Sequence, residues 1–450
     1  MLDRGMAPDK QLTLPFARQR GEAPVGASGG STPSDEHSLM ERVVERPNLF
    51  AALARVKTNG GSPGVDGMPV EDVPGHLQPH GPALRTSLLA GTYHPSPVRR
   101  VEIPKPGGGV RKLGIPPVLD RFLQQALLHV LQPVWDPTFS DHSYGFRPQR
   151  SAHQAVARTQ HYLAEGYDWV GDLDLAKFFD RVHQDKLMHL VKGRGADRRV
   201  LPRIDRYRTA GAMTGDGFEA TTEGTPQGGP LSPLRANLLL DAFDKELERR
   251  GHRFVCSADD SNIYVKSARA GQRVRTSVTR FLERRLHRSV NAAKRAGDRP
   301  WPRTFLGFPC TRRRPHRRQI SAQALQTCKQ ERRHRTDRTR GASLRRAVED
   351  LRPYLTGWRA YCGFAEVQSP CKEWDSWVRR RLRCDVWQQW GRRRYRELRP
   401  RGGSRDVAWN TCKSAHGPWR LSRSPALAIA LPGRYFDGLG LPRLHQRPRH

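Results

Sequence analysis

Phe254-Val-Cys-Ser-Ala-Asp-Asp-Ser-Asn-Ile-Tyr-Val265 is the stretch on which the reading of the chain turns. Apolar residues flank a small polar cluster with two acids at its centre. The pattern predicts strand, tight turn, strand, with Asp259 and Asp260 at the tip of a hairpin. Adjacent carboxylates on a rigid tip repel one another, and a bound divalent cation removes that cost. Taken alone, an Asp-Asp pair is far more often an ordinary polar turn. The rest of the chain reverses those odds.

Working outward, the totals narrow the class. A chain of 450 residues has room for roughly two to four domains and a sizeable core. Its 79 Lys plus Arg against 44 Asp plus Glu leave a net charge of +35. So basic a chain needs a polyanionic partner, and nucleic acid is the usual one. Membrane lipid is the rival polyanion. No apolar run is long enough to span a bilayer and Met1 opens no signal-peptide pattern, so a soluble, cytoplasmic protein is expected. The seven cysteines fall at 256, 310, 328, 362, 371, 384 and 412 without C-x-x-C spacing. That argues against a disulfide framework and a zinc site, and for thiols used as small buried hydrophobes.

Upstream, residues 1–38 are rich in Gly, Ser, Pro and charge and read as a disordered tail. Helical spacing begins near Asp35 and again at Pro47, with Leu49, Phe50, Leu53 and Val56 on one face. Val98 to Leu113 predicts a hairpin around the tip Lys105-Pro-Gly-Gly-Gly109, flanked by Arg99, Arg100, Arg111 and Lys112. Two readings stand equal there: a solvated basic hairpin, and a loop that closes over phosphates. Val118 to Leu131 reads as a helix. Ser143-Tyr-Gly-Phe-Arg-Pro148 is an irregular turn whose aromatics and Arg147 suit either a packed loop or stacking on a strand.

Trp169-Val-Gly-Asp-Leu-Asp-Leu175 predicts a second central strand, with Asp172 and Asp174 on one face and a helix over 176–191 after it. Alone, Asp174 is more often a helix N-cap. Gly224-Thr-Pro-Gln-Gly-Gly-Pro-Leu-Ser-Pro233 is a rigid turn that feeds a helix and presents backbone N–H groups and Gln227. Beyond Leu282 bases dominate; residues 311–350 hold 13 Arg plus Lys against 4 acids. A helix is predicted from Leu344 through Tyr361. The final stretch interleaves Trp374, Trp377, Trp387, Trp390, Trp409 and Trp419 with blocks such as Arg379-Arg-Arg381. Charge runs are usually solvated faces, but at this overall charge the alternation favours nucleic-acid contact.

Six motifs in fixed order carry a resemblance. They are Ile103-Pro-Lys-Pro-Gly-Gly-Gly-Val-Arg111 with Leu113-Gly-Ile-Pro116, His142-Ser-Tyr-Gly-Phe-Arg-Pro148, Asp174-Leu-Ala-Lys-Phe-Phe-Asp180, Gly224 to Pro233, Ser257-Ala-Asp-Asp260 and Phe305-Leu-Gly-Phe308. Tyr354-Leu-Thr-Gly-Trp358 and Gly417-Pro-Trp-Arg-Leu-Ser-Arg-Ser-Pro425 extend it, so that it runs from about Arg46 to Leu444. In these the chain resembles a bacterial group II intron-encoded reverse transcriptase with maturase function.

The resemblance implies an α+β, right-hand polymerase: fingers, a palm of antiparallel sheet flanked by helices, and a helical thumb, plus a basic C-terminal helical region. The expected segments are the tail 1–38, fingers and palm 39–300, a thumb or maturase domain 301–380, and a DNA-binding region 381–450. With no paired C-x-x-C after residue 380, the endonuclease-lacking type, without zinc, is expected. Asp174 and Asp259 are implied to hold two Mg²⁺ ions with Asp260 in support and the Leu175 carbonyl completing one shell. Lys105 and Arg111 match the bases that grip the incoming deoxynucleoside triphosphate. Phe179 matches the gate against a ribose 2′-hydroxyl, and Gln227 matches the residue that lines the nucleotide and primer site. Arg147, Arg312, Arg313, Arg314, Arg379, Arg380 and Arg381 are the nucleic-acid contacts expected. Intron RNA, a DNA target and a template–primer are the implied partners, with no membrane partner and the oligomeric state open, a homodimer included.

One departure bears on activity. The family usually has Tyr before Ala-Asp-Asp, and position 257 is Ser. A ring near the primer end is missing, which predicts weakened polymerisation. Two functions from different classes therefore compete: an RNA-directed DNA polymerase that also helps its intron splice, and an RNA-binding maturase with little polymerase activity. Retention of Asp174, Asp259 and Asp260 favours the enzyme.

Overall fold

The computed structural model describes residues 39–104, 110–174, 199–215, 217–220, 228–286, 299–301, 303–336 and 341–445; the side chains of 111, 172–174, 201, 208, 285 and 286 fall outside the description. The tail 1–38, the helix expected over 176–191, and Lys105, Leu175, Phe179 and Gln227 also lie outside it. The chain divides into two compact units, residues 1–155 with 169–298 and residues 156–168 with 299–450.

The first unit starts with α1 (Leu39–Val43), α2 (Arg46–Asn59) and α3 (Val73–Ala90). α2 opens with Pro47 in its first turn, where no backbone donor is lost, and stops at Gly60 at a φ of 61°. The central helix α4 (Val118–Trp135) is the expected apolar element, one turn longer than its spacing predicted. Phe122, Leu123, Ala126, Leu127 and Leu131 are buried in a core shared with Leu49, Leu53, Leu238, Phe243 and Phe254. Each of the Leu and Phe side chains contributes about 1.5–3 kcal/mol by leaving water.

The basic hairpin forms as predicted: β1 (Val98–Pro104) pairs antiparallel with β2 (Val110–Ile115), Ile103 opposite Arg111. β3 (Trp169–Asp174) follows, then β4 (Ala212–Thr214) and β5 (Gly217–Glu219), which join the hairpin in a sheet ordered β2-β1-β4-β5. Helix α5 (Ser232–Arg249) leads to β6 (Arg253–Ser257) and β7 (Asp260–Val265), which with β3 make a second sheet ordered β3-β7-β6. Gly228, which stands a few residues before α5, is tightly enclosed. Gly228 has a φ of +127°, and a Cβ there would lie 2.5 Å from the Gly114 carbonyl oxygen of β2. Only glycine combines that conformation with that approach.

The second unit is helical. α6 (Ala322–Arg335) and α7 (Leu344–Cys362) start at Ser321 and Ser343, whose side chains accept from the Ala324 and Arg346 amides. α8 (Ser369–Trp390) runs unbroken across the boundary expected between residues 380 and 381, so no domain edge falls there. Between α6 and the Trp358–Trp374 stack lies Arg332, fully buried, with its guanidinium carbon 3.8 Å from the Trp374 ring centroid. The Phe305-Leu-Gly-Phe308 motif is a turn closed by a bridge between its two Phe residues, and Tyr361 Oη donates to the Leu306 carbonyl at 2.7 Å. All seven cysteines are free thiols, six of them buried, as the spacing implied. No described helix is long and apolar enough to cross a membrane.

Candidate active site

Antiparallel register brings the acids together. Asp174, the last residue of β3, pairs directly with Asp260, the first residue of β7, and Asp260 pairs on its other side with Ser257 of β6. Directly paired residues share a face with Cβ atoms about 4.5–5.5 Å apart. Between Ser257 and Asp260 the chain turns in two residues, Ala258 and Asp259. Asp259 therefore sits in the turn and Asp260 on its strand, which refines the expected tip position of both. Asp259 and Asp260 are half-buried, reachable from solvent at one end of the sheet. Asp259 and Asp260 bring hard oxygen donors of the kind that suits Mg²⁺ to this end of the sheet, and no group of three or more His, Cys, Asp or Glu side chains that could hold a metal occurs among the described residues. The Asp174 side chain itself lies outside the described residues.

The opposite face of this sheet explains why its end is rigid. Phe254, Cys256 and Ile263 alternate with the acid-bearing positions and are buried in the core. The Ser143–Pro148 turn then lies along β6: the Tyr144 amide donates to the Cys256 carbonyl and the Cys256 amide to the His142 carbonyl, both at 2.9 Å. Gly145 presses on the Ala258–Asp259 turn, where an added Cβ would stand 2.4 Å from the Ala258 amide nitrogen. Asn237 of α5 locks Gly145 from below, its Nδ2 donating to the Gly145 carbonyl at 2.8 Å. Ala258 is held at a φ of 54°. That left-handed conformation costs a non-glycine residue about 1–2 kcal/mol, so the surrounding packing has to enforce it.

Beneath the hairpin lies a buried acid that the sequence reading passed over. Asp244 of α5 is enclosed against Cys256 and Ser143, and burial pushes its carboxyl up to about 7 from 3.8, with Asp241 and Glu248 nearby adding to the effect. Asn237, Asp241 and Asp244 recur at spacings of four and three within the apolar face of α5, the signal by which they could have been found. Folded Asp244 holds its proton more tightly than the unfolded chain does. Its contribution is therefore complete below about pH 4, falls as pH rises through about 7, and is constant above. Asp244→Asn is expected to flatten thermal stability across that window, removing a slope worth on the order of a few kcal/mol. Melting curves at about pH 5 and about pH 8 check it; an unchanged slope would count against the buried carboxyl.

The basic candidates divide by environment. Arg147 is buried and spent inside the turn: Nε meets Asp136 Oδ1 at 2.9 Å and Nη1 the Ser143 carbonyl at 3.0 Å. It shapes the Ser143–Pro148 loop and is not presented to a nucleic-acid strand, which corrects the expectation. Arg379 is corrected likewise. It is buried between Asp375 (3.2 Å) and Asp437 (2.6 Å), in a network that also holds Arg443 and the Leu444 amide. Arg380 lies on the Trp419 ring, 3.7 Å from its centroid, and Arg381 Nε donates to Thr336 Oγ1 at 2.6 Å. Arg312, Arg313 and Arg314 are exposed. The β1–β2 backbone carries Arg111 to the end of the hairpin beside the Lys105–Gly109 tip, which itself lies outside the described residues.

Comparison with known proteins separates two stretches of the chain. Residues 103–310 match the family model for reverse transcriptase (RNA-dependent DNA polymerase), and residues 325–402 match the group II intron maturase-specific domain. Protein YkfC of Escherichia coli is 38% identical over 225 residues, 48% of this chain and 59% of that protein. The group II intron-encoded protein LtrA of Lactococcus lactis is 34% identical over 206 residues, 45% of this chain and 34% of that protein. The chain thus spans less than two thirds of the length of either relative. Among solved structures, a chain of a partial Cas6-RT-Cas1–Cas2 complex is 26% identical, with a TM-score of 0.35, covering 55% of this chain and 42% of that one.

Proposed function

From a chain that joins a reverse transcriptase domain to a group II intron maturase-specific domain, we propose an RNA-directed DNA polymerase that also binds and helps to fold intron RNA. The observation that carries this reading is the pairing of Asp174 with Asp260 beside Asp259 in the turn. Asp174, Asp259 and Asp260 would hold Mg²⁺, with the Leu175 carbonyl as a further donor. Bound there, the ions supply charge neutralisation at the primer 3′-hydroxyl and at the departing pyrophosphate.

The chain's own residues do the rest. The Gly145 contact and the β3–β7–β6 register hold the backbone that carries Asp174, Asp259 and Asp260, which supports a site needing little ordering at the moment of reaction. Lys105 and Arg111 at the β1–β2 tip are proposed to grip the triphosphate of a deoxynucleotide, Phe179 to exclude the ribose 2′-hydroxyl, and Gln227 to line the nucleotide site. Template–primer, intron RNA and a DNA target are the proposed nucleic-acid partners. Arg312, Arg313 and Arg314, which are exposed, are proposed phosphate contacts.

A second reading, maturase with little polymerase activity, is favoured by one residue. Ser257 pairs with Asp260 at the catalytic turn and supplies no ring to the primer end. Ser257→Tyr is expected to improve extension about tenfold at limiting primer, since one aromatic stacked on a base contributes about 1–3 kcal/mol. Primer extension on an RNA template with Mg²⁺ tests both readings. Product from the native chain supports the polymerase. Product from Ser257→Tyr alone assigns this chain to RNA binding, and none from either variant overturns the polymerase reading.

A further inference from the structure

Within the second unit lies a cavity of about 540 Å³ that the proposed polymerase chemistry does not use. That volume lies inside the roughly 300–1,000 Å³ range of small-ligand clefts. Trp377, Arg381 and Cys384 line it from one face of α8, at spacings of four and three. Arg333 and His334 come from the last turn of α6, Thr336 from just beyond it, and Trp419 from the short helix Pro418–Leu421.

The lining is unusual in what it combines. Two indole rings stand with two arginines and a histidine, and none of these lining residues is a carboxylate. The rings are also held. Arg380 lies 3.7 Å over the Trp419 centroid, donates from Nη2 to the Trp419 carbonyl at 2.9 Å, and donates from Nε to Ser422 Oγ at 3.2 Å. Arg381 sits 5.2 Å over Trp377 and is anchored on Thr336 through Nε at 2.6 Å and Nη2 at 2.9 Å. Even so, Trp419 remains 39% exposed and Arg333 and His334 are exposed. A rigid aromatic wall selects for a planar ligand, and a cationic rim selects for an anionic one. A nucleotide is both.

We propose that this cavity captures a single unstacked base of a single-stranded nucleic-acid segment, stacked on the Trp419 and Trp377 wall with a flanking phosphate at Arg333 and Arg381. A base inside a duplex has both faces covered by its neighbours, so only a splayed base offers the ring that such a wall needs. The exposed Arg420 and Arg423 beside Trp419 continue the cationic surface, which fits a strand better than a free mononucleotide. The site rests on the reading of the chain as a nucleic-acid binder and is independent of its catalytic carboxylates.

The test is equilibrium binding of the full chain to a short fluorescent RNA in single-stranded and duplex form, with a DNA strand of the same sequence alongside. Trp419→Ala is expected to weaken the single strand about tenfold or more and the duplex less than about twofold, with Trp419→Phe recovering most of the loss. Arg333→Gln, a surface change that leaves the fold alone, is expected to lower the salt dependence of binding by about one phosphate contact. Loss confined to RNA assigns the site to an RNA strand; equal loss with DNA assigns it to either strand. Native affinity in both variants at an unchanged melting temperature overturns the site, as does equal loss for single strand and duplex. A failed polymerase reading would show as absent extension by the native chain, without altering these titrations.

Discussion

Asp259→Ala is expected to lower RNA-templated primer extension by about a thousandfold or more, while template–primer binding stays within about twofold. The asymmetry follows from position. Asp259 occupies the two-residue turn between β6 and β7 and is half-buried at the edge of the sheet, so its removal opens no core cavity. Its negative charge repels the phosphates of a primer, so binding has nothing to lose. What disappears is a hard oxygen donor, and with it several kcal/mol of charge stabilisation in the transition state. Rapid-quench extension together with an anisotropy titration measures both quantities. Extension at the native rate would remove Asp259 from the metal site; parallel loss of binding would make its role one of folding.

The next largest effect is expected from a residue with no functional atom. Gly145→Ala should reduce the rate of extension by about a hundredfold with only a modest fall in melting temperature. The new Cβ would meet the Ala258 amide nitrogen at 2.4 Å, the Ser257 carbonyl carbon at 3.0 Å and the Ala258 Cα at 3.2 Å. All three are backbone atoms and none can rotate away, so the turn bearing Asp259 has to shift by about 1 Å to restore ordinary contact. Displacements of that size cost on the order of a hundredfold when reacting groups have to be held in attack geometry, whereas overpacking typically costs about 1–3 kcal/mol of stability. Near-native extension would mean that the turn is softer than the hydrogen bonds around it imply.

The two predictions also mark how far the sequence could be read. The hairpin around Asp259, the basic hairpin of β1 and β2, and the long apolar helix α4 follow from local pattern, because strand alternation and helical spacing are written residue by residue. The pairing of Asp174 with Asp260 was approachable only through two strands that each ended in an acid; their register is a property of the folded sheet. Gly145 was visible as part of a motif, but its contact with Ala258 spans more than a hundred residues and leaves no local trace. Arg147 and Arg379 show the opposite failure. Composition counts a buried, paired guanidinium the same as a solvated one, and only the positions of Asp136, Asp375 and Asp437 tell them apart.

The arginines laid on tryptophans in the second unit have a calorimetric consequence. Arg380 on Trp419, Arg381 on Trp377, Arg394 on Trp387 and Arg401 on Trp390 each have a ring beneath them, and Lys413 over Trp409 repeats the arrangement. A long cationic side chain ordinarily loses about 0.5–1.5 kcal/mol of rotamer freedom when it docks on a ligand. Where an indole already restricts the guanidinium, that loss has been taken during folding. Association through this surface should therefore carry a smaller entropic penalty per contact than association through the exposed Arg312–Arg314 run.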